Sequence, residues 1–412
     1  MCSRTIFFLF LLGLTSASFA QIDTSRYTYI QYRLNRLDNP DSSYALAGFW
    51  EQFDAMRVYG DRQLNIVHFG GSHIQADIYP NVLRNTFHTL DSGRTGARGF
   101  LFPYSAIHTN NPWNYKTSYT GTWEGHRSAV YKHSMTWGVD GVTATTRDSV
   151  ASLSFSFRDS TVAVRPVSVL VMADLSDSSY RLETDSIPHL LLTDTTSEGY
   201  LLLVYDGPVD TVFLPFVRMD STAQLKFYGC IVNSDAPGIV YHSLGGNGSS
   251  FRAFARCDLF ASQLAYLQPD LVIISIGTND TSDPDFDPEA YTAAYALFIE
   301  QILLVNPHCA LILTVPNDSY VRKKYHNNNL VSCRESIYTL AAKYHAAVWD
   351  FYTIMGGAYS AKKWRTDQIM KSDLIHFTNE GYQLKGALLM EAMMEDYHHW
   401  LVDSGKERET GK

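Results

Sequence analysis

Charged residues are scarce in this chain, and basic side chains are fewer than acidic ones. Asp, Glu, Lys and Arg account for 18% of the 412 residues, and 33 basic against 42 acidic residues give a formal net charge of −9. Nucleic acids and anionic membrane surfaces bind proteins through basic faces. The composition therefore argues against either as the main partner and favours a neutral substrate.

Motifs for metal binding are also missing. The sequence contains no CxxC or HExxH spacing, and the adjacent His398 and His399 have no cysteine or third histidine nearby at ligand spacing. We therefore predict that the protein uses neither a metal nor a cofactor.

The apolar run near the start of the chain is too short to span a membrane. Arg4 precedes apolar residues 6–12, and Ser18-Phe19-Ala20 forms a small-x-small cleavage site. This is the pattern of a secretory signal peptide, whereas a spanning helix needs about 20 apolar residues. We predict a signal peptide over 1–20, a mature chain that begins at Gln21, and an exported protein, periplasmic or secreted, without stable membrane insertion.

Export would leave four of the five cysteines: Cys230, Cys257, Cys309 and Cys333. An even number of cysteines in an oxidising compartment permits disulfides. However, Cys309 begins an apolar strand-like run and Cys333 lies in a helical pattern, so buried free thiols fit the sequence at least as well. The sequence leaves the pairing open.

Core-forming residues are plentiful. Hydrophobic residues make up 45% of the chain, which contains 26 Tyr and 22 Phe. Such a composition is typical of a packed globular protein. Because 412 residues exceed the usual size of one hydrophobic core, we expect either two domains or one domain with a large insertion.

Strand and helix patterns alternate through the second half of the chain. Strands are predicted over 238–242, 270–276, 310–315 and 347–351, and helices over 251–267, 288–305, 330–345 and 380–401. A further strand over 64–69 lies between a helix over 43–56, with Ser42 and Ser43 as candidate caps, and a helical pattern after Ser72 that Pro80 interrupts. Alternation of this kind predicts a flavodoxin-like, doubly wound sheet of five parallel strands.

The interval between the first two strands does not follow this pattern. Short runs rich in Val, Leu, Phe and Tyr, separated by polar clusters, predict strands over 150–157, 161–164, 167–172, 189–192, 200–205, 211–216 and 224–231. We predict an inserted β-sandwich over 120–236, within an α/β domain formed by 21–119 and 237–404, followed by a flexible tail over 405–412.

An aromatic-rich segment leads into this insertion. It contains Phe100, Phe102, Tyr104, Trp113, Tyr115, Tyr119 and Trp123. Two interpretations remain open: a wall of rings that binds a sugar, or a loop held to the body of the protein by ordinary aromatic burial.

Four separate segments place polar residues where predicted strands end or where the last helix begins. They are Gly70-Gly71-Ser72, Gly245-Gly246-Asn247-Gly248, Gly277-Thr278-Asn279-Asp280 and Asp373-Leu374-Ile375-His376. Each alone also fits a helix cap, a common turn or a surface pair. Together they supply a serine, a histidine with a nearby carboxylate, and donors for an oxyanion. Because the carboxyl ends of parallel strands lie at one edge of the sheet, we expect these residues to lie close together.

The four segments resemble the conserved blocks of SGNH (GDSL-like) hydrolases. The resemblance covers 64–90 and 238–400 and implies Ser72 as nucleophile, His376 as base, Asp373 as its partner, and an oxyanion hole made of Ser72, Gly248 and Asn279. The first block usually reads Gly-Asp-Ser, whereas this chain has Gly71 before the serine. The β insertion resembles that of the bacterial peptidoglycan O-acetylesterases of the superfamily, which implies that 120–236 is a carbohydrate-binding-like module.

These features predict a secreted serine esterase that removes O-acetyl groups from cell-wall or extracellular polysaccharide. The expected partner is an O-acetylated glycan or another small ester. Two alternatives remain: a lipase or thioesterase that acts on longer acyl chains, and a catalytically inactive polysaccharide-binding protein.

Overall fold

The computed structural model describes residues 24–157 and 165–406. The predicted signal peptide, the predicted strand over 161–164 and nearly all of the predicted tail lie outside these ranges. None of the described helices is long and apolar enough to cross a membrane.

A sheet of five parallel strands forms the centre of the protein. With strands numbered along the chain, these are β1 (Gln63–Gly70), β13 (Gly238–Gly245), β14 (Leu271–Ser275), β15 (Ala310–Thr314) and β18 (Ala347–Trp349). They are arranged in the spatial order β13-β1-β14-β15-β18. This is the flavodoxin-like order, and it confirms the predicted fold class.

Helices cover both faces of the sheet because alternate side chains of its strands point to opposite sides. On the face of Ile66 lie α1 (Ala47–Tyr59), α3 (Ile78–Leu90) and α11 (Asn379–Asp403), whereas α5 (Phe260–Leu267), α7 (Pro288–Val305) and α8 (Asn329–Tyr344) lie on the face of Val67. The shorter helices are α2 (Ser72–Gln75), α4 (Phe251–Phe254), α6 (Thr278–Thr281), α9 (Phe351–Ile354) and α10 (Ser360–Thr366).

Two predicted helices differ from the observed ones. The helix predicted over 43–56 begins at Ala47 with Leu46 at its N-cap and no capping side chain, so Ser42 and Ser43 do not cap it. The helix predicted over 251–267 is divided into α4 and α5.

The insertion consists of two antiparallel sheets. One contains β2 (Gly99–Leu101), β4 (Glu124–Arg127), β5 (Val142–Thr146), β7 (Ser168–Ala173), β9 (Leu190–Thr195), β10 (Leu201–Tyr205) and β12 (Leu225–Asn233); the other contains β3 (Tyr115–Thr120), β6 (Val150–Phe157), β8 (Tyr180–Leu182) and β11 (Thr211–Arg218). The rings of Phe216 and Phe227 pack between the sheets with centroids 6.2 Å apart. A small hairpin, β16 (Tyr320–Val321) and β17 (Tyr325–His326), lies outside the insertion.

The core of the insertion is continuous with one side of the α/β sheet. Phe227 of the insertion belongs to the same buried cluster as Phe69 of β1 and Phe298 of α7. Both β2 and β3 begin before residue 120, the predicted start of the insertion, and both pair within the inserted sheets. We therefore propose that the inserted module begins near residue 99.

A buried carboxylate joins the insertion to the α/β sheet. Asp77 lies between α2 and α3 with a φ of 51°, and its side chain accepts hydrogen bonds from Arg84, Arg98, Asn114 and Ser243 at 2.6–3.1 Å. Burial opposes ionisation of this group, but the two guanidinium groups lower its pKa below the ordinary value. Asp77 is therefore the shared counterion of two buried arginines.

We expect Asp77→Asn to destabilise the protein by about 3–5 kcal/mol, because it leaves Arg84 and Arg98 buried without a counterion. Asn tolerates positive φ, so the substitution tests the charge and not the backbone geometry. Denaturant unfolding measures the effect. Asp61→Asn, which removes one partner of an exposed pair with Arg62, is the control and should leave the midpoint unchanged. Equal midpoints for Asp77→Asn and the wild type would contradict this account.

Candidate active site

The segment Gly70-Gly71-Ser72 lies at the carboxyl end of β1, where Ser72 begins α2. The two preceding residues are glycines because neighbouring atoms approach the backbone closely. A Cβ on Gly70 would lie 2.2 Å from Cγ1 of Ile74, and a Cβ on Gly71 would lie 3.0 Å from Nδ2 of Asn279. Gly71 therefore leaves room for the Asn279 amide beside the serine.

Three predicted site residues form one hydrogen-bonded series. Ser72 Oγ lies 2.7 Å from His376 Nε2, and His376 Nδ1 lies 3.0 Å from Asp373 Oδ2. An ionised carboxylate only accepts hydrogen bonds, so Nδ1 carries the proton and Nε2 of the neutral imidazole accepts from the serine. The His376 and Asp373 side chains are each about one-third exposed, so the series is accessible from solvent.

A tight turn fixes the Asp373 carboxylate against His376. Leu374 has a φ of 59°, and Oδ1 of Asp373 accepts hydrogen bonds from the backbone amides of Ile375 and His376, both at 2.9 Å. Burial alone would raise the pKa of Asp373, but these amides and the imidazole lower it below the ordinary value. The aspartate is therefore ionised at neutral pH and orients the imidazole.

The predicted oxyanion donors lie on the neighbouring strand ends. Asn279 is the second residue of α6 and lies beside Gly71; one N–H of its side chain donates to the carbonyl of Ser249 at 2.8 Å. The second N–H remains for another acceptor. Gly248 precedes Ser249 in an exposed turn and has a φ of 88°, a conformation that favours glycine.

Sequence reasoning assigned no role to Gln75, which the structure places under this turn. Its side chain is 2% exposed; Oε1 accepts from the amide of Asn247 at 2.8 Å, and Nε2 donates to the carbonyl of Asn110 at 2.7 Å. Gln75 thus links α2, the Gly248 turn and the loop between β2 and β3. Its position three residues after Ser72 was the available signal, but its partners are distant in sequence.

His73 is a second histidine beside His376 that sequence reasoning also left unassigned. The two rings lie 5.1 Å apart, and His73 Nδ1 is hydrogen-bonded to the hydroxyl of Tyr382 at 2.9 Å. Burial, followed by the charge of Lys385, holds the pKa of His73 well below its usual range. His73 is therefore neutral and supports the site without adding charge.

Lys385 is buried near these groups without a carboxylate partner among the residues that the structure describes. It is 4% exposed, and its ammonium lies 4.6–5.6 Å from the ring centroids of Tyr79, Phe351 and Phe377. Burial lowers its pKa to about 7. Aromatic faces compensate only part of the cost of desolvating a cation.

The cysteines and acidic residues supply no further chemistry in the described part of the chain. Cys230, Cys257, Cys309 and Cys333 are buried free thiols, and burial raises their pKa values. Within 24–157 and 165–406, no group of three or more His, Cys, Asp or Glu side chains is arranged to hold a metal ion.

Most of the aromatic-rich segment is buried. Five of its seven rings are at most 3% exposed: Phe100, Phe102, Tyr104, Tyr115 and Trp123. Trp113 and Tyr119 are 45% and 40% exposed. Ordinary burial therefore explains five of these rings, and a continuous wall over the whole segment does not form.

Residues 226–384 match the model of the GDSL-like lipase/acylhydrolase family. The matched range contains Gly248, Asn279, Asp373 and His376, whereas Ser72 precedes it and is separated from it by most of the insertion. A search of curated proteins found no match.

Among solved structures, a peptidoglycan O-acetylesterase matches 88% of this chain and 99% of its own, with a TM-score of 0.74 and 17% identity. A lipase/acylhydrolase from Enterococcus faecalis matches 38% of this chain and 77% of its own, with a TM-score of 0.32 and 19% identity. An acetyl xylan esterase matches 37% of this chain and 80% of its own, with a TM-score of 0.31 and 14% identity. The first of these likenesses extends over the insertion as well as the central sheet, since it covers 88% of this chain.

Residues 226–384 thus resemble the GDSL-like lipase/acylhydrolase family, and the fold of the whole chain resembles that of the O-acetylesterase. The enzyme class of this chain is that of a carboxylic ester hydrolase.

We expect Lys385→Met to stabilise the protein at neutral pH and to flatten the dependence of its stability on pH. The folded-state pKa of about 7 lies below the ordinary value of 10.5, so the unfolded chain binds more protons between these values and wild-type stability rises with pH there. Denaturant unfolding of both proteins across this pH range measures the difference. The difference in the free energy of unfolding between the two proteins should be largest near neutral pH. A difference that does not change with pH would contradict the prediction.

Proposed function

We propose that this chain is a secreted serine esterase that removes O-acetyl groups from cell-wall or extracellular polysaccharide. The observation that carries the proposal is the hydrogen-bonded series Ser72, His376 and Asp373 at the carboxyl edge of the parallel sheet. A serine, a neutral imidazole and an ionised carboxylate in this order are the components of acyl transfer through a serine ester.

In the proposed reaction, His376 Nε2 takes the proton of Ser72 while Oγ attacks the ester carbonyl. The tetrahedral intermediate collapses as its bond to the sugar oxygen breaks; the imidazolium gives its proton to that oxygen, the sugar leaves with a free hydroxyl, and acetyl remains on Ser72. Water then gives a proton to the same imidazole and attacks the acetyl carbonyl. When this second intermediate collapses, the bond to Ser72 Oγ breaks, the imidazolium returns the proton to Oγ, and acetate is released. Asp373 stabilises the imidazolium and keeps the proton of the resting imidazole on Nδ1.

The developing oxyanion would be held by the amides of Ser72 and Gly248 and by the second N–H of Asn279. The bond from Asn279 to Ser249 supports this role because it fixes the side-chain amide beside Gly71. Gln75 would act as a positioning residue by holding the amide of Asn247, next to Gly248. Each oxyanion donor of this kind typically contributes about 3 kcal/mol to transition-state stabilisation.

The choice of an O-acetylated glycan rests on architecture. The match to the peptidoglycan O-acetylesterase extends over both the α/β sheet and the insertion, since it covers 88% of this chain. The net charge of −9 also suits a glycan better than an anionic lipid surface. Export, inferred from the sequence pattern over 1–20, would bring the enzyme to such a substrate.

We expect Ser72→Ala and His376→Ala each to lower kcat on a chromogenic acetate ester by about 10⁴-fold or more, because each removes an essential part of the nucleophilic step. His189→Ala is a matched control because His189 faces Asp206 in an exposed pair on the insertion and should retain full activity. Steady-state kinetics with purified, folded proteins measure the effect. Wild-type activity in either site variant would contradict the proposal.

We expect activity to fall as the acyl chain of a chromogenic ester is lengthened from acetate to octanoate, and we expect acetate release from O-acetylated peptidoglycan or xylan. Preference for octanoate would favour the lipase or thioesterase alternative. Binding of glycan by folded wild-type protein without acetate release would favour the inactive binding protein.

A further inference from the structure

Two segments associated with the insertion converge on Asn247, the residue before Gly248. Nδ2 of Asn247 donates to the hydroxyl of Thr109 at 2.9 Å, and its carbonyl accepts from the guanidinium of Arg127 at 3.1 Å. Together with the bond from its amide to Gln75, these contacts fix the segments 109–114 and 127–133 beside the Gly248 turn.

Each segment carries an exposed aromatic ring. Trp113 is 45% exposed and Tyr131 is 55% exposed. Neither ring belongs to a hydrophobic cluster of the described core, whereas the rings of Tyr104 and Tyr115 are buried. The two exposed rings are therefore accessible on segments that contact the Gly248 turn.

Contacts of neighbouring residues fix the segments that carry the two rings. Trp113 precedes Asn114, which is 8% exposed and donates to Asp77 at 2.7 Å. The Tyr131 ring lies 4.7 Å from the guanidinium carbon of Arg252 and 5.3 Å from that of Arg256. Arg256 also donates to the carbonyl of His133 at 2.6 Å, which fixes the segment that carries Tyr131. A binding segment that is fixed before binding loses less conformational entropy when a ligand packs on it.

We propose that Trp113 and Tyr131 are glycan-binding residues that stack on sugar rings flanking the O-acetylated sugar. The proposal rests on the proposed function and specifies how its polymeric substrate is recognised. Exposed aromatic faces suit the apolar C–H faces of pyranose rings, and Arg252, which lies beside the Tyr131 ring, can donate to sugar hydroxyls. A small chromogenic acetate has no flanking sugar ring on which these side chains could stack.

The test compares Trp113→Ala, Tyr131→Ala and the double variant with Tyr59→Ala. Tyr59 is the matched control because it is 72% exposed but ends α1 near the amino end of β1, at the opposite edge of the sheet. Two substrates are used: a chromogenic acetate and soluble O-acetylated peptidoglycan fragments. Loss of one stacking ring should raise KM for the fragments about five- to tenfold with little change in kcat. Kinetics on the chromogenic acetate should not change.

Tyr131→Trp and Trp113→Tyr should restore KM, because they keep an aromatic face. Calorimetric titration of the same fragments into proteins that also carry Ser72→Ala measures glycan binding without turnover, so glycan recognition is tested even if the esterase proposal fails. Unchanged fragment affinity in the double variant, an equal loss in Tyr59→Ala, or no fragment binding by the Ser72→Ala protein would overturn the proposal. Weaker binding confined to the alanine variants at 113 and 131 supports it.

Discussion

The buried carboxylate of Asp77 is the constraint on which the arrangement of the site depends. It follows α2 at positive φ and binds Arg84 of α3, Arg98 and Asn114 from the segment leading into the insertion, and Ser243 of β13. Buried charges are tolerated only when they are paired and hydrogen-bonded, so these elements cannot move apart without exposing or orphaning charge. One side chain thereby fixes the serine turn, the adjacent strand and the start of the insertion relative to one another.

A second, smaller set of polar contacts lies between that network and the reacting groups. Gln75 and Asn247 connect the serine turn with the Gly248 turn, and Asn279 fills the space that Gly71 leaves open. A side chain at position 71 would press against this amide, since its Cβ would lie 3.0 Å from Nδ2 of Asn279. The chemistry that we propose depends on this pre-organisation, because oxyanion donors act most strongly when they need no reorientation during the reaction.

Periodicity predicted the central sheet well, because alternating strands and helices with buried apolar faces leave a strong local signal. The predicted strand over 310–315 and helix over 288–305 correspond closely to β15 and α7. Local patterns did not show the break between α4 and α5, nor which aromatic rings would be buried, because both depend on packing against distant segments. The hydrogen-bond partners of Asp77 and Gln75 are likewise far apart in the sequence, between Arg84 and Asn247, so no local pattern indicates them. The contact between Asp373 and His376 could be predicted from their spacing, because the two residues lie in one turn and their side chains are hydrogen-bonded.

The central claim is that His376 activates Ser72 as a nucleophile, and covalent labelling tests it most directly. The folded protein is treated with a fluorophosphonate, which reacts with activated serines, and the modified residue is located by mass spectrometry of its peptides. The account predicts a single adduct on Ser72 that disappears in His376→Ala and persists in His189→Ala. An adduct on another serine, or labelling of Ser72 that does not depend on His376, would contradict it.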